Sequence, residues 1–537
     1  MRMIRILSEW PCRRDRFGNG TGQTVNSDHW KWRTSLSSSG HISRIEPLMT
    51  MPAQPAATLD PTDWQALRQQ GHQMLDDMLD YIQKQGQGPV WRPIAQQLRQ
   101  QYRQSLPKQG QALEQVHERF LNEIQPYAVG NSHPAFMGWV HGAGTPVGML
   151  AEMLAAGLNA NLGGRDQMPL EVERQITHWM RELFGFPSSA NGVFVTGSSM
   201  ANFMGVLCAR TRALGPDACT QGVAQHARPL TAYAAASAHS CVAKAMNMSG
   251  LGTQALRLVR LNSARQMDVA ALQQMIRADR LAGSQPFLIV ATAGSVDTGA
   301  IDDLAALRGV AQSEGLWLHV DAALGGLGLL APDVAPQLQG ISEADSVALD
   351  FHKWGQVPYD AGYFLARQEA DLTQTFSMPA AYLSRHQRGL AAGFPWPCDL
   401  GPDLSRSFRA LKTWFTFMVH GTDKMGAAIS RSCALARYLA QRVNSEPELE
   451  LLAPVNLNIV CFRYRCPSAN ATNSAIVADL HESGIAVPSL TELDGKTAIR
   501  AALVNHRTRS ADVDALLNGV LHFGRLRNPA AVRALAA

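Results

Sequence analysis

The stretch "PFLIVATAGSVDTGAIDDLAALRGVAQSEGLWLHVDAALGG", residues 286–326, decides the fold. It holds two apolar runs, "PFLIVATAGS" and "LWLHVDAA", with a helical pattern over 304–314 between them. Neither run alternates polar with apolar residues. Each therefore reads as a strand buried on both faces, which is what a parallel sheet requires. A helix that carries the chain back between two such strands is the crossover of a parallel pair.

The same rhythm recurs on both sides of this unit. "GVFVTG", "TAYAAASA", "SVALDF" and "AGYFLA" are further short apolar runs, and residues 199–212 supply another crossover pattern. Together they predict a doubly wound α/β domain with a mostly parallel sheet over residues 131–415. Beyond 415 a long helical stretch, "VNLNIVCFRY", more helix and "TAIRAALVN" predict a smaller α+β domain over 416–537. Upstream, Asp60-Pro61 reads as N-cap and first helical residue, and Leu67, Met74, Met78 and Tyr81 recur at helical spacing. A second amphipathic pattern near 110–124 completes a helical segment over 55–130. Residues 1–54 lack periodicity and a continuous apolar core, so they read as a disordered leader or an upstream start before Met49 or Met51.

Composition narrows the class. Of 48 Lys/Arg and 44 Asp/Glu, residues 1–50 hold eight and four, so the remainder carries 40 of each sign. A neutral body offers no global field for nucleic acid. No apolar run approaches the ~20 residues that span a bilayer, so no membrane partner is expected. The eight cysteines form no CxxC pair and no ligand cluster with histidine. They read as reduced thiols of a cytoplasmic protein without a metal.

Ligands of such sheets collect at the carboxyl ends of the strands. Five strand ends carry reactive groups here: Ser198 and Ser199, then His239, then Thr292, then Asp321 followed by Ala322 and Ala323, then His352 and Lys353. Singly, each has a plain structural reading as cap, core histidine or snorkelling lysine. Jointly they suit pyridoxal phosphate. A Gly-Ser-Ser helix start offers amides and a favourable dipole to a phosphate. A carboxylate can keep the pyridine nitrogen protonated, an imidazole can stack on the ring, and a desolvated lysine with lowered pKa can form the Schiff base.

Several motifs follow in order: "NSHPAFMGWV" (131–140), "NANLGGRDQMPLEVER" (159–174), "FVTGSSMAN" (194–202), "AHSCVAKA" (238–245), "ATAGSVDTGAIDDL" (291–304), "LHVDAALGG" (318–326), "DFHKWGQVPYDAG" (350–362) and "LSRSFRALKTW" (404–414). In this order the chain from about residue 55 resembles the pyridoxal-phosphate-dependent group II amino acid decarboxylases, the aromatic-L-amino-acid decarboxylase family. The resemblance implies fold type I and α-decarboxylation of an L-amino acid, with aromatic substrates the leading expectation. It implies that Lys353 is the Schiff-base lysine, Asp321 the pyridinium partner and His239 the stacking imidazole. Ser198 and Ser199 would bind phosphate with His352, while Thr292 and Ala323 would touch the cofactor. Tyr382, in "MPAAYLSRHQRG", matches a mobile-loop tyrosine that protonates the carbanion in the partner subunit's site, which implies a homodimer with shared sites. Phe136 and Trp139 would wall an aromatic substrate pocket. The motif Gly197-Ser198-Ser199-Met200 departs from the family in lacking a glutamate. Decarboxylation of 2,4-diaminobutyrate, glutamate or aspartate, or an aldehyde-forming decarboxylase-oxidase, stands as the alternative.

Overall fold

The computed structural model describes residues 58–378, 380 and 383–528. Among the described residues, those from Asp63 to Asn528 form one compact unit. The leader expected over 1–54 lies outside the described residues.

A two-residue strand, β1 (Phe136–Met137), comes first in the chain. Seven more follow: β2 (Asn191–Val195), β3 (Leu230–Ala235), β4 (Leu256–Val259), β5 (Gln285–Thr292), β6 (Trp317–Asp321), β7 (Ser346–Asp350) and β8 (Gly362–Ala366). These seven form one sheet in the order β2-β8-β7-β6-β5-β3-β4. Every residue of β3, β6, β7 and β8 is buried, as expected of strands covered on both faces. The pairs β3–β4, β3–β5, β5–β6 and β6–β7 are parallel. The crossover Leu304–Glu314 is capped by the Asp303 carboxylate, which accepts the Ala306 amide at 3.0 Å, and ends at Gly315 with φ 67°. Those two caps explain why the helix begins and ends where its apolar pattern does.

One strand departs from the parallel expectation. "AGYFLA" is β8, and it runs antiparallel to both β2 and β7. The chain returns from β7 through residues 351–361 without a crossover helix, and a short return of that kind can reach only an antiparallel neighbour. At its start, Gly362 lets the backbone pass Gly197 closely, because a Cβ on Gly362 would sit 2.3 Å from the Gly197 Cα.

Four later strands, β9 (Leu449–Leu451), β10 (Ile459–Tyr464), β11 (Val487–Leu493) and β12 (Lys496–Ala502), join β1 in a second sheet, in the order β1-β11-β12-β10-β9. Thus β1, expected within the larger domain, pairs in parallel with β11 of the smaller one, Phe136 opposite Val487. The expected boundary at 415 falls inside the helix Arg409–Ser445, whose one non-helical residue is Gly421, φ 71°. Near the N-terminus, the helix Trp64–Gln83 is capped by Asp63, whose side chain accepts the Gln65 and Ala66 amides. The cap is therefore Asp63 and not Asp60, since only the former's carboxylate reaches the first turn. The pattern near 110–124 forms the helix Leu113–Arg119, continued by a π-turn over Phe120–Ile124. Among the described residues no helix is long and apolar enough to cross a membrane.

Candidate active site

The strands β2, β3, β5, β6 and β7 point the same way, so their carboxyl ends share one rim. A cavity of about 500 Å³ opens there, lined among others by Ser198, Ser199, His239, Thr292, Asp321, Ala323, His352 and Lys353. Eight residues singled out in the sequence are thus brought together, from five different strand ends. The volume lies within the range of cofactor and small-ligand sites.

Asp321 ends β6. Its Oδ1 accepts the Ala323 amide at 3.2 Å, and its other oxygen has no hydrogen-bond partner among the described residues. Burial raises its carboxyl above the usual range, against the pull of the Lys353 charge. A buried carboxylate in that state is completed by a cationic N–H donor, which is what a protonated pyridine nitrogen provides. His239 stands exposed at the mouth, its Nδ1 accepting the Cys241 amide. The Thr292 amide donates to Asp302 at 2.8 Å, and Thr292 lines the cavity. The Ser199 amide and hydroxyl also lack partners among the described residues, at the start of the helix Ser198–Leu214. Open amide and hydroxyl donors at a helix N-terminus fit a phosphate group. The residues present therefore fit pyridoxal phosphate.

Three expectations change. The Ser198 hydroxyl is not open to the cavity: it donates to Asp350 at 2.7 Å, and the Ser198 amide donates to the same carboxylate at 2.6 Å. Phe136 is buried in β1 and does not line the cavity. It lies behind Trp139 and His141, with ring centroids 6.1 and 5.7 Å away. Lys353 is not held at a lowered pKa. Burial alone would depress it, but its Nζ lies 2.8 Å from Asp350, and that carboxylate with Asp321 holds the ammonium above the ordinary lysine range. Tyr382 lies outside the described residues.

The structure also adds residues that sequence reasoning passed over. Asp350, His141 and Tyr359 all line the cavity. His141 stacks near Trp139 and meets Tyr359 edge-on at 5.9 Å. Burial and then the Lys353 charge hold its imidazole below the usual range, so it is neutral at pH 7. Tyr359 tilts over His352 at 4.3 Å, and burial pushes its phenol up to about 12. The signal for Asp350 and Tyr359 was present in "DFHKWGQVPYDAG", three residues before and six after the lysine. His319, two residues before Asp321, is excluded from the cavity. Its Nε2 donates to Asn202 Oδ1 and its Nδ1 accepts from Ser346, both at 2.8 Å.

Comparison with known proteins follows the same line. The sequence model of the family described as "Pyridoxal-dependent decarboxylase conserved domain" matches residues 95–465. The chain is 31% identical over 462 residues to aromatic-L-amino-acid decarboxylase of Bacillus atrophaeus, covering 83% of this chain and 93% of that protein. It is 30% identical over 421 residues to L-2,4-diaminobutyrate decarboxylase of Rhizobium meliloti, covering 77% and 83%. The solved structure of Oryza sativa TDC with PLP and tryptamine superposes with a TM-score of 0.80 at 22% identity, over 88% of this chain and 100% of that one. At that identity the structural likeness speaks for the fold alone, which is fold type I.

Proposed function

This chain belongs to the pyridoxal-dependent decarboxylases, and from that premise we propose that it removes the α-carboxylate of an aromatic L-amino acid to give the amine and CO₂. The family membership makes it a pyridoxal-phosphate enzyme acting on an amino acid; the aromatic class and the residue roles are our reading. The observation that carries the aromatic class is the ring-lined wall of the cavity. Trp139, His141 and Tyr359 present ring faces and edges there, which bind planar side chains by stacking.

In this reading Lys353 would hold the cofactor covalently, Asp321 would pair with its ring nitrogen, and His239 would stack against it. Ser199 would hold the phosphate end with His352, while Thr292, opposite Asp321 in the sheet register, and Ala323 would contact the cofactor beside Asp321. Ser198 acts indirectly, through Asp350. Bound pyridoxal phosphate supplies the electron sink that accepts the pair released when the Cα–carboxylate bond breaks. The protein's own work is to orient and to exclude water. Trp139 and His141 fix the side chain, so that the carboxylate lies toward one side of the cavity. Phe136 supports that wall from behind. Tyr382 returns a proton to Cα from a loop of the partner subunit, in a homodimer with shared sites. Reduced cysteines support a cytoplasmic location, since the seven described ones are all free. The division at 131–415 and 416–537 belongs to the same proposal, with β1 lent to the smaller part.

An amine-product screen over the twenty amino acids plus DOPA and 2,4-diaminobutyrate tests the substrate class, with Lys353→Ala as the blank. Tryptophan, tyrosine or DOPA should give amine and CO₂ without ammonia or peroxide, and the blank should lose turnover and the cofactor's visible absorbance. Amine from diaminobutyrate alone would refute the aromatic reading. Equimolar peroxide would refute simple decarboxylation.

A further inference from the structure

The cavity contains one buried carboxylate to which none of the cofactor contacts above falls. Asp350, 3% exposed at the end of β7, accepts three short hydrogen bonds: from the Ser198 amide at 2.6 Å, the Ser198 hydroxyl at 2.7 Å and Lys353 Nζ at 2.8 Å. His352 Nε2 stands 3.7 Å away. The first two donors belong to the helix start where an anion would settle, and the third is the amine that would carry the cofactor. A carboxylate and a phosphate compete for the same donors, and like charges at one helix terminus repel.

We propose that Asp350 is a positioning residue that keeps Lys353 paired and the start of the helix Ser198–Leu214 braced. Its negative charge thereby sets both the pH at which the lysine reacts with an aldehyde and the affinity of the neighbouring anion site. The inference rests on the reading of Lys353 and of this helix start as the cofactor's two anchors. Burial acts most strongly on the amine and opposes its charge, and among the groups around it Asp350 acts most strongly in the other direction. His352 and Ser198 face the carboxylate directly. Asp321 from β6, Cys241 from the helix Cys241–Met248, Tyr359 ahead of β8 and His141 after β1 also act on the pair, while His239 acts on Asp321 and Asp360 and Lys412 act on His352. Burial pushes the Asp350 carboxyl up, but Lys353, His352 and the Ser198 bonds outweigh it and hold it below the usual range, so the charge is present at neutral pH.

The test uses the full-length chain stripped of cofactor, with two probes. Pyridoxal, which lacks the phosphate, reports the pH midpoint for reaction at Lys353 through visible absorbance. Inorganic phosphate reports the anion site by calorimetry. Asp350→Asn keeps an acceptor for the Ser198 amide and removes the charge. Its midpoint should fall by about one pH unit or more, and phosphate should bind about tenfold tighter. A purely structural brace would move neither quantity. An unchanged midpoint, or phosphate affinity that is unchanged or weaker, overturns the proposal. Should the asparagine variant lose its circular dichroism signature, Asp350→Ser, which is smaller and equally neutral, takes its place with the same expected shifts. If the wild-type chain itself forms no visible band with pyridoxal phosphate, the cofactor reading of Lys353 fails, a result separate from a null effect at Asp350.

Discussion

His319 shows how much one buried side chain can decide. It sits on β6 with no exposed surface, yet both ring nitrogens are satisfied, by Asn202 from the helix Ser198–Leu214 and by Ser346 from β7. Gly205 makes this possible, since a Cβ there would stand 2.7 Å from the imidazole Nδ1. Burial holds the ring at a pKa of about 3, against about 6.5 for a free histidine. The unfolded chain therefore binds a proton that the folded chain refuses in the window between those values. Stability contributed by the neutral ring is complete above pH 6.5 and is lost as pH falls toward 3. Urea unfolding at pH 7 and pH 4.5 should show a clear loss for the wild type. His319→Gln should start about 1–3 kcal/mol less stable at pH 7 and lose less between the two pH values. Equal losses in both proteins would remove His319 from the acid response. The sequence motif "LHVD" marks His319 and Asp321 as a pair, but period-two geometry cannot say which one faces a partner and which one the cavity.

Between elements, the loop ahead of the helix Arg409–Ser445 is tied to the sheet by a buried ion pair. Arg406 meets Glu173 of the helix Met168–Phe184 at 2.5 Å, and it also donates to the carbonyls of Leu162 and Phe194. Glu173 in turn accepts the Phe194 amide. The pair joins three segments far apart in sequence, which is why "LEVER" and "LSRSFRALKTW" could be quoted as separate motifs but not as partners. Breaking one side leaves an uncompensated charge in the interior, so Arg406→Ala should cost about 3–5 kcal/mol in denaturant unfolding. A loss under about 1 kcal/mol would mean that water reaches Glu173. Element types were mostly readable, because buried strands and capped helices leave local marks such as Asp303 and Gly315. The direction of β8 and the membership of β1 were not, because strand pairing is a choice between remote segments.

At the scale of the molecule, the helix Trp64–Gln83 buries none of its residues, although Trp64, Leu67 and Leu79 are exposed on it. Met153, Leu154 and Leu158 are likewise exposed on the helix Pro146–Leu158. Apolar surface left open in this way is the mark of an association surface. Sedimentation equilibrium should return twice the 58.3 kDa chain mass, and Trp64→Glu with Leu67→Glu should shift it toward monomer with loss of activity. A fully active monomer would refute the shared-site homodimer. The amino-acid sequence by itself determined the α/β class, the set of strand ends that carry Ser199, His239, Thr292, Asp321 and Lys353, and the cofactor these imply. The class and the strand ends follow from local periodicity and from the rule that parallel strands end on one rim, and the cofactor from the residue types found there together with the family resemblance. Only the tertiary structure decided that Asp350 is the lysine's partner, that Ser198 serves Asp350, that Phe136 lies behind the wall, and that Lys353 is held charged. Those are matters of distance between groups remote or differently directed along the chain, and electrostatics at 3 Å depends on where side chains end, which no spacing along a strand specifies.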